Sequence, residues 1–351
     1  MKILFLTRLF YPHIGGVEKH VSEVSKVLIE KGHRVIVITE KHAETLKDRE
    51  RIEDIEVYRI PVGKNEWSFG KLRINFKKFE IWLWLFRNRE LIQNADIVHA
   101  HDVFFWYFPF LFLYPRKKVF VTFHGYESYP LKSKDIIMHK VSEKLSMGNI
   151  CIGDFIQKWY GTKPTYVTYG AVGIFNFQFS IFNKTRKKSA VFVGRLDEQT
   201  GFLTYLEAVK KIREKFPDFK LTVFGDGKFK KKIEGEIEFK GFVNNAQEEI
   251  GKYGIVFASR YLSILEAMAA KKPVIAVYDS PIKEDYLKMS PFAKYIIVVN
   301  SAQEVAGKVI SLLNDPDESR VMIDKSFKWA KNQTWENLGA LYLRLWNKIS
   351  N

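Results

Sequence analysis

Apolar and polar positions along this chain switch repeatedly between two periods. KILFLTR at 2–8 is a continuous apolar run of the type buried inside a parallel sheet, and Val17, Val21, Val24 and Val27–Leu28 then recur at helical spacing as far as Ile29. Gly32 ends that helix and RVIVITE at 34–40 begins another strand, so the opening predicts strand, helix, strand. IEVYRIPV, ADIVHAH, VFVTFHGYE, NICIGDF and PTYVTYGAV continue the first half as short strands. The second half starts AVFVGRLDEQTGFLTYLEAVKKI, and LTVFGDGKF, IEFKGFV, YIIVV and the helix SAQEVAGKVISLL follow the same grammar. Ile255–Val277 holds all of it in one stretch: strand, small-polar turn, helix with Glu266, and a second strand.

Two βα-repeating halves predict an α/β protein of two Rossmann-like domains. The polar, basic stretch FNKTRKKS at 182–189 is the expected linker, which puts one domain at 1–182 and the second at 183–330. Residues 331–351 continue as an amphipathic helix with Trp335, Leu338, Leu341, Leu343 and Trp346.

Two stretches depart from the pattern. Residues 64–90 interleave Lys and Arg with aromatics, and Phe76, Phe79, Leu83 and Phe86 share one helical face flanked by Lys77, Lys78, Arg87 and Arg89. That face reads either as a core contact or as an interfacial surface that attracts anionic lipid. VFFWYFPFLFLY at 103–114 contains Pro109 and is too short to cross a bilayer, so a buried helix is expected there, with a lipid-facing patch as the lesser reading.

Composition narrows the classes. Of 351 residues, 46% are hydrophobic and 27% charged, a globular balance, and the single Cys151 excludes intrachain disulfides and cysteine-based metal clusters. No window supplies the roughly 18 uncharged apolar residues of a membrane span, and the N-terminal run reads as a strand rather than a signal peptide. A cytoplasmic protein, peripheral on the inner face of the membrane, is expected. With 56 Lys+Arg against 40 Asp+Glu, the net charge of +16 favours polyanionic partners. Aromatics at 15%, set beside the basic residues, favour an anionic membrane surface over nucleic acid.

Candidate chemistry gathers where strands give way to turns. Gly15–Gly16 precedes a helix, where missing side chains let a phosphate or hydroxyl reach backbone N–H groups, although such a pair also serves simply as a turn. His124 ends a strand, with His101 of HAHD as a second candidate. Gly194–Arg195 follows a strand in VGRLDEQTG, where the guanidinium is either a surface arginine or a permanent bidentate partner for an anion. Gly225 and Gly227 of FGDG permit close backbone approach, and Ser259, Leu262, Ser263 and Ile264 lie at the start of the helix that carries Glu266.

The runs YPHIGGVEKHVSEVSKVLIEKGHRVIVIT, TFHG, VGRLDEQTG and LEAMAAKKPVIA resemble retaining glycosyltransferases of the GT-B fold, in particular glycosyltransferase family 4. The resemblance implies two domains facing each other across a cleft, with the last helix crossing back to the first domain. It implies transfer of a sugar, with retained configuration, from a UDP- or GDP-linked donor to a lipid-linked or cell-envelope glycan acceptor, without a metal or other cofactor. In that scheme His124 lies beside the donor sugar, Arg195 holds the diphosphate, Glu266 accepts from the ribose, and Gly15–Gly16 faces the acceptor and the donor phosphates.

Two positions depart from the family pattern. Thr200 stands where a lysine usually precedes the glycine of the Arg loop, and Ala258 stands where a second glutamate is usual, eight positions before Glu266. Lys228 or Lys230 after FGDG is a candidate replacement for the lysine. The departures keep two other functions open: a non-catalytic glycan- or glycolipid-binding scaffold of the same fold, and a nucleotide-sugar epimerase.

Overall fold

Strands form where apolar runs can be covered on both faces, and in the computed structural model they assemble into two separate parallel sheets. The structure describes residues 1–63, 66–69, 72–173, 186–233, 237–243, 246–315 and 319–348. It divides into one compact unit of Met1–Thr168 with Trp335–Asn351 and a second of Tyr169–Thr334. The division falls ahead of the linker expected at 182–189. Residues 182–185 lie outside the described residues, and Arg186–Ser189 already belong to the first strand of the second sheet.

In the first unit the strands are β1 (Lys2–Thr7), β2 (Arg34–Glu40), β3 (Arg49–Ile52), β4 (Ile55–Ile60), β5 (Glu66–Phe69), β6 (Leu72–Asn75), β7 (Ile97–His101), β8 (Lys118–Phe123), β9 (Asn149–Ile152) and β10 (Tyr166–Thr168). The main sheet runs β10-β9-β8-β7-β1-β2-β4-β3, and β5-β6 is a separate antiparallel pair. Only β3 is antiparallel within the main sheet. Chain direction across the sheet reverses between β1 and β7, the place where open α/β sheets leave a crevice at their carboxyl ends. Pairing aligns Thr7 with His101 and His101 with Thr122, so three strands end side by side at that crevice.

The helix Trp335–Lys348 packs in this same unit against the helix Gly16–Glu30. Its buried stripe is Trp335, Leu338, Tyr342, Leu345 and Trp346. Gly339 is required at the crossing, since a Cβ there would meet Val27 Cγ1 at 2.6 Å.

The second unit contains β11 (Arg186–Val193), β12 (Lys220–Phe224), β13 (Ile237–Gly241), β14 (Tyr253–Phe257), β15 (Val274–Val277) and β16 (Ile297–Val299). All pair in parallel, in the order β13-β12-β11-β14-β15-β16. Phe192, Tyr205, Ile255, Phe257 and Ile275 form part of its core. Here the order reverses between β11 and β14, which brings the Arg195 loop and the turn at Ser259–Arg260 to one crevice.

Of the two irregular stretches, one folds differently from expectation, and in the other the outward one of the two readings of the aromatic face holds. The run 103–114 is not one buried helix. Pro109 cannot donate an N–H, and the run splits into a 3₁₀ turn at Phe104–Tyr107 and a short helix at Phe110–Leu113. Phe104, Trp106 and Tyr107 are buried, whereas Phe112 is 90% exposed. Within 64–90, the helix Lys77–Arg87 buries Ile81 and Leu85, and the face predicted from Phe76, Phe79, Leu83 and Phe86 is turned outward. Among the described residues, no helix is long and apolar enough to cross a membrane.

Candidate functional site

The crevice of the first unit holds a group of histidines. His101 ends β7, His124 follows β8, and His20 comes from the helix after β1, whose N-cap is Gly15. Nδ1 of His101 lies 2.9 Å from Nε2 of His124, and the His20 and His124 rings meet edge to face with centroids 4.6 Å apart. Asp102 takes a left-handed conformation (φ 61°), and its Oδ1 accepts the N–H of His124 at 2.9 Å, which fixes the turn after β8.

Behind this group runs a buried chain of hydrogen bonds whose direction can be assigned. Nε1–H of Trp346 donates to Nδ1 of His99 at 3.1 Å, so the neutral ring must carry its proton on Nε2 and donate it to Thr122 Oγ1 at 2.7 Å. Thr122 Oγ1 then donates to the Tyr342 hydroxyl at 2.9 Å, and Tyr342 donates to Nε2 of His20 at 2.8 Å. This direction gives every proton of the chain an acceptor, and it puts the proton of His20 on Nδ1.

Burial holds all these imidazoles neutral. It pushes His20 down to about 3, and His99, His101 and His124 well below the usual histidine range. The group therefore offers uncharged donors and acceptors suited to sugar hydroxyls. Nε2 of His101 is buried without a partner and supplies one unused position.

Glycines at the helix entry have distinct reasons. A Cβ on Gly15 would come within 2.3 Å of Glu18 Oε2, whose partner oxygen bonds His13 Nδ1 at 2.9 Å. Gly16 has nothing within 4 Å of its Cβ position, so backbone there is open to approach.

In the second unit Arg195 is well exposed on the loop after β11, with Nε 3.3 Å from Asp197 Oδ2. Arg195, Asp197, Glu198, Gln199, Gly227 and Lys228 line an open pocket of about 370 Å³. The FGDG loop is built against the Arg195 loop. A Cβ on Gly225 would sit 1.9 Å from Gly194 O, and one on Gly227 would sit 2.7 Å from Leu196 O. The close backbone approach expected of Gly225 and Gly227 is thus made with the Gly194–Leu196 backbone, and it holds Arg195 in place.

Thr200 turns inward. Its hydroxyl donates to the carbonyls of Arg195 (2.7 Å) and Asp197 (2.9 Å), closing the loop where the family pattern has a lysine side chain. Lys228 and Lys230 each face an acid, Glu198 and Asp226.

Helix Tyr261–Ala269 starts at this crevice with Arg260 as N-cap. The N–H groups of a helix's first turn lack intrahelical acceptors, and Leu262 and Ser263 stand in that turn. Ser263 Oγ donates back to Arg260 O at 3.0 Å. The Ser259 hydroxyl is consumed in the core, 2.8 Å from the Tyr205 hydroxyl and accepting Val277 N–H at 2.9 Å. Ile264 and Ala258 are fully buried, and Glu266 is 5% exposed.

His20, Tyr342, Gln199, Arg260 and Lys283 join these crevices without having been singled out from sequence. Lys283 had a readable signal: Ile282, Lys283, Tyr286 and Leu287 form the buried stripe of helix Pro281–Lys288, and a lysine is out of place on such a stripe. Among the described residues, the one group that could hold a metal ion is His20, His101 and His124, each offering a ligand atom within 4.8 Å of the others. In it, Nε2 of His20 and Nδ1 of His101 are already committed to hydrogen bonds.

Comparison with known proteins adds the following. Residues 14–160 match the model of Glycosyltransferase Family 4, and residues 187–315 match that of Glycosyl transferases group 1. An uncharacterised glycosyltransferase of Methanocaldococcus jannaschii is 22% identical over 100% of this chain and 99% of its own length. Phosphatidyl-myo-inositol mannosyltransferase of Mycolicibacterium smegmatis is 22% identical over 96% of this chain and 91% of its own. Among solved structures, Anabaena HepE in complex with UDP and glucose superposes with a TM-score of 0.71 at 15% identity, covering 98% of this chain and 99% of that one.

Proposed function

The chain belongs to glycosyltransferase family 4, with the GT-B fold, and we propose that it transfers a sugar from a UDP- or GDP-linked donor to a lipid-linked or cell-envelope glycan with retention of configuration. The observation that carries the donor reading is Arg195, exposed on a loop that the Gly225–Gly227 backbone holds in place beside a pocket of about 370 Å³. Loss of a nucleoside diphosphate develops negative charge on the leaving phosphate, and a preorganised guanidinium stabilises that charge. Glu266 takes the ribose, and the backbone of Leu262 and Ser263 takes phosphate oxygens at the helix N-terminus. His124 lines the donor sugar, and Gly15–Gly16 serves the acceptor and phosphate side.

Retention proceeds with the departing phosphate oxygen taking the proton of the incoming hydroxyl on the same face of the sugar. No metal is needed for these roles, because the guanidinium of Arg195 and the N–H groups at the helix N-terminus can carry the phosphate charge. UDP in the HepE complex and the phosphatidyl-myo-inositol for which the mycobacterial relative is named support the donor and acceptor classes. An anionic membrane surface is the proposed docking partner, supported by the outward aromatic face of helix Lys77–Arg87. A second reading, a binding protein without turnover, is favoured by the inward-turned Thr200 and the buried Ala258.

Purified protein incubated with a panel of UDP- and GDP-sugars in EDTA, with glycolipid acceptors, tests the assignment. Turnover is expected with one donor, α-linked donor giving α-linked product by NMR, and Arg195→Ala should reduce it at least about a hundredfold. Donor binding without turnover on any acceptor would favour the second reading, and absence of donor binding would defeat the first.

A further inference from the structure

Three cationic side chains meet at the crevice between β11 and β14. Nη2 of Arg195 and Nη2 of Arg260 both donate to one oxygen, Oε1 of Gln199, the former at 3.3 Å. Arg260 and Lys283 in turn share the ring of Tyr286, with the guanidinium 5.7 Å and the ammonium 4.2 Å from its centroid. Lys283 is 1% exposed, and its Nζ donates to the carbonyl of Ser259, the residue before Arg260. Tyr286 itself is fixed by accepting, at 2.8 Å, the N–H of Tyr261, the first residue of the helix that Arg260 caps.

Asp197 offsets part of the charge of Arg195, but gathering Arg260 and Lys283 beside it still costs free energy that a bound anion would recover. Burying a lysine against a single carbonyl costs more, and burial together with the charge of Arg260 drives Lys283 well below the ordinary lysine range. The loop that should supply a further cation supplies none, because Thr200 is folded inward, and Lys228 and Lys230 face Glu198 and Asp226.

We propose that Arg260 and Lys283 complete the donor's diphosphate site: Arg260 joins Arg195 in holding the phosphates, and Lys283 positions Arg260 through the Ser259 carbonyl and the Tyr286 ring. In the unliganded protein Gln199 holds the two guanidinium groups together. An arriving diphosphate replaces that single neutral oxygen with charged ones, and charge-assisted bonds to both arginines are the stronger. The inference rests on the nucleotide-sugar reading above for the identity of the ligand. The site's chemistry, affinity for a diphosphate, does not depend on it.

Calorimetric titration separates the two. The probes are UDP, GDP and inorganic pyrophosphate, added to the full chain and to its Arg260→Gln, Lys283→Met and Arg195→Ala variants, each checked for folding by thermal melting. Arg260→Gln should weaken pyrophosphate and nucleoside diphosphate by about 10- to 100-fold, as loss of a charged hydrogen-bond partner does, and Lys283→Met should weaken them by a smaller factor, because Lys283 acts only by positioning Arg260. Should Lys283→Met fail to fold, Arg260→Gln, at a half-buried position, carries the test alone. If these variants bind as the wild type does while Arg195→Ala does not, the inference falls and the nucleotide reading stands. If the wild type binds pyrophosphate but neither UDP nor GDP, the anion site stands and the nucleotide reading falls. Wild-type protein that binds none of the three overturns both.

Discussion

His20, His99 and His101 are buried imidazoles that refuse a proton in the folded protein, and the consequence for stability has a definite sign. In the unfolded chain each takes up a proton near pH 6.5, whereas folded His20 does so only near 3. Below about pH 6.5 the unfolded state therefore binds more protons, and stability falls as pH falls; above that value the full contribution is present. Each such histidine subtracts about 1.4 kcal/mol for every pH unit below that point. We predict that the urea midpoint of the first unit drops clearly between pH 7.5 and 5.5, followed by the fluorescence of Trp346, which is bonded to His99. An unchanged midpoint would mean that these rings titrate freely in the folded state. At this scale the sequence told a partial story. His124 and His101 were legible because they end apolar strands, a position that itself suggests chemistry. His20 was not, since a histidine within a helical stripe looks like any half-buried residue until Tyr342, 322 positions away, is seen to bond it.

Packing between elements explains what holds the Arg195 loop in place. Gly225 has φ 131° and leaves no room for a Cβ against Gly194 O, so the loops after β11 and β12 touch backbone to backbone. Gly225→Ala is therefore expected to destabilise the second unit by about 2–4 kcal/mol, combining a strained φ with a contact that neither loop can relax. Nucleotide affinity should fall with it, because Arg195 moves with Gly194. Gly16→Ala, which meets nothing within 4 Å, should leave the thermal midpoint within a few degrees of wild type. Equal losses of stability for the two variants would contradict this account. Periodicity and glycine placement announced both loops and the close approach of backbone there; that the Gly194–Leu196 backbone makes one such approach is a contact between loops, which no local pattern encodes. Helix Lys77–Arg87 gives the converse lesson: its spacing was read correctly, but spacing cannot say which of two apolar stripes faces the core, and Ile81 and Leu85 took that side.

At the scale of the whole molecule, the charge and the outward face act through different physics and can be separated. A net charge of +16 attracts an anionic surface over a range set by screening, about 10 Å at 0.1 M salt, while Phe76, Phe79 and Phe86 gain by leaving water on contact. Phe79, 66% exposed, has the most to gain, and the guanidinium of Arg89 lies 5.2 Å from the centre of the Phe86 ring, so charge and aromatic surface are presented together. Neither is accounted for by the proposed donor site, in which helix Lys77–Arg87 has no role. The chain should float with vesicles rich in phosphatidylglycerol at low salt and remain unbound to neutral phosphatidylcholine vesicles. Raising salt should weaken the association steeply, since the long-range attraction is lost first. Replacing Phe79 and Phe86 together by Ser should weaken it at every salt concentration while leaving the salt slope nearly unchanged, because no charge is removed. A double variant that floats as well as the wild type would confine the interaction to electrostatics and return the aromatic face to some other partner. Wild-type protein that stays at the bottom with anionic vesicles at low salt would remove the membrane from the picture altogether.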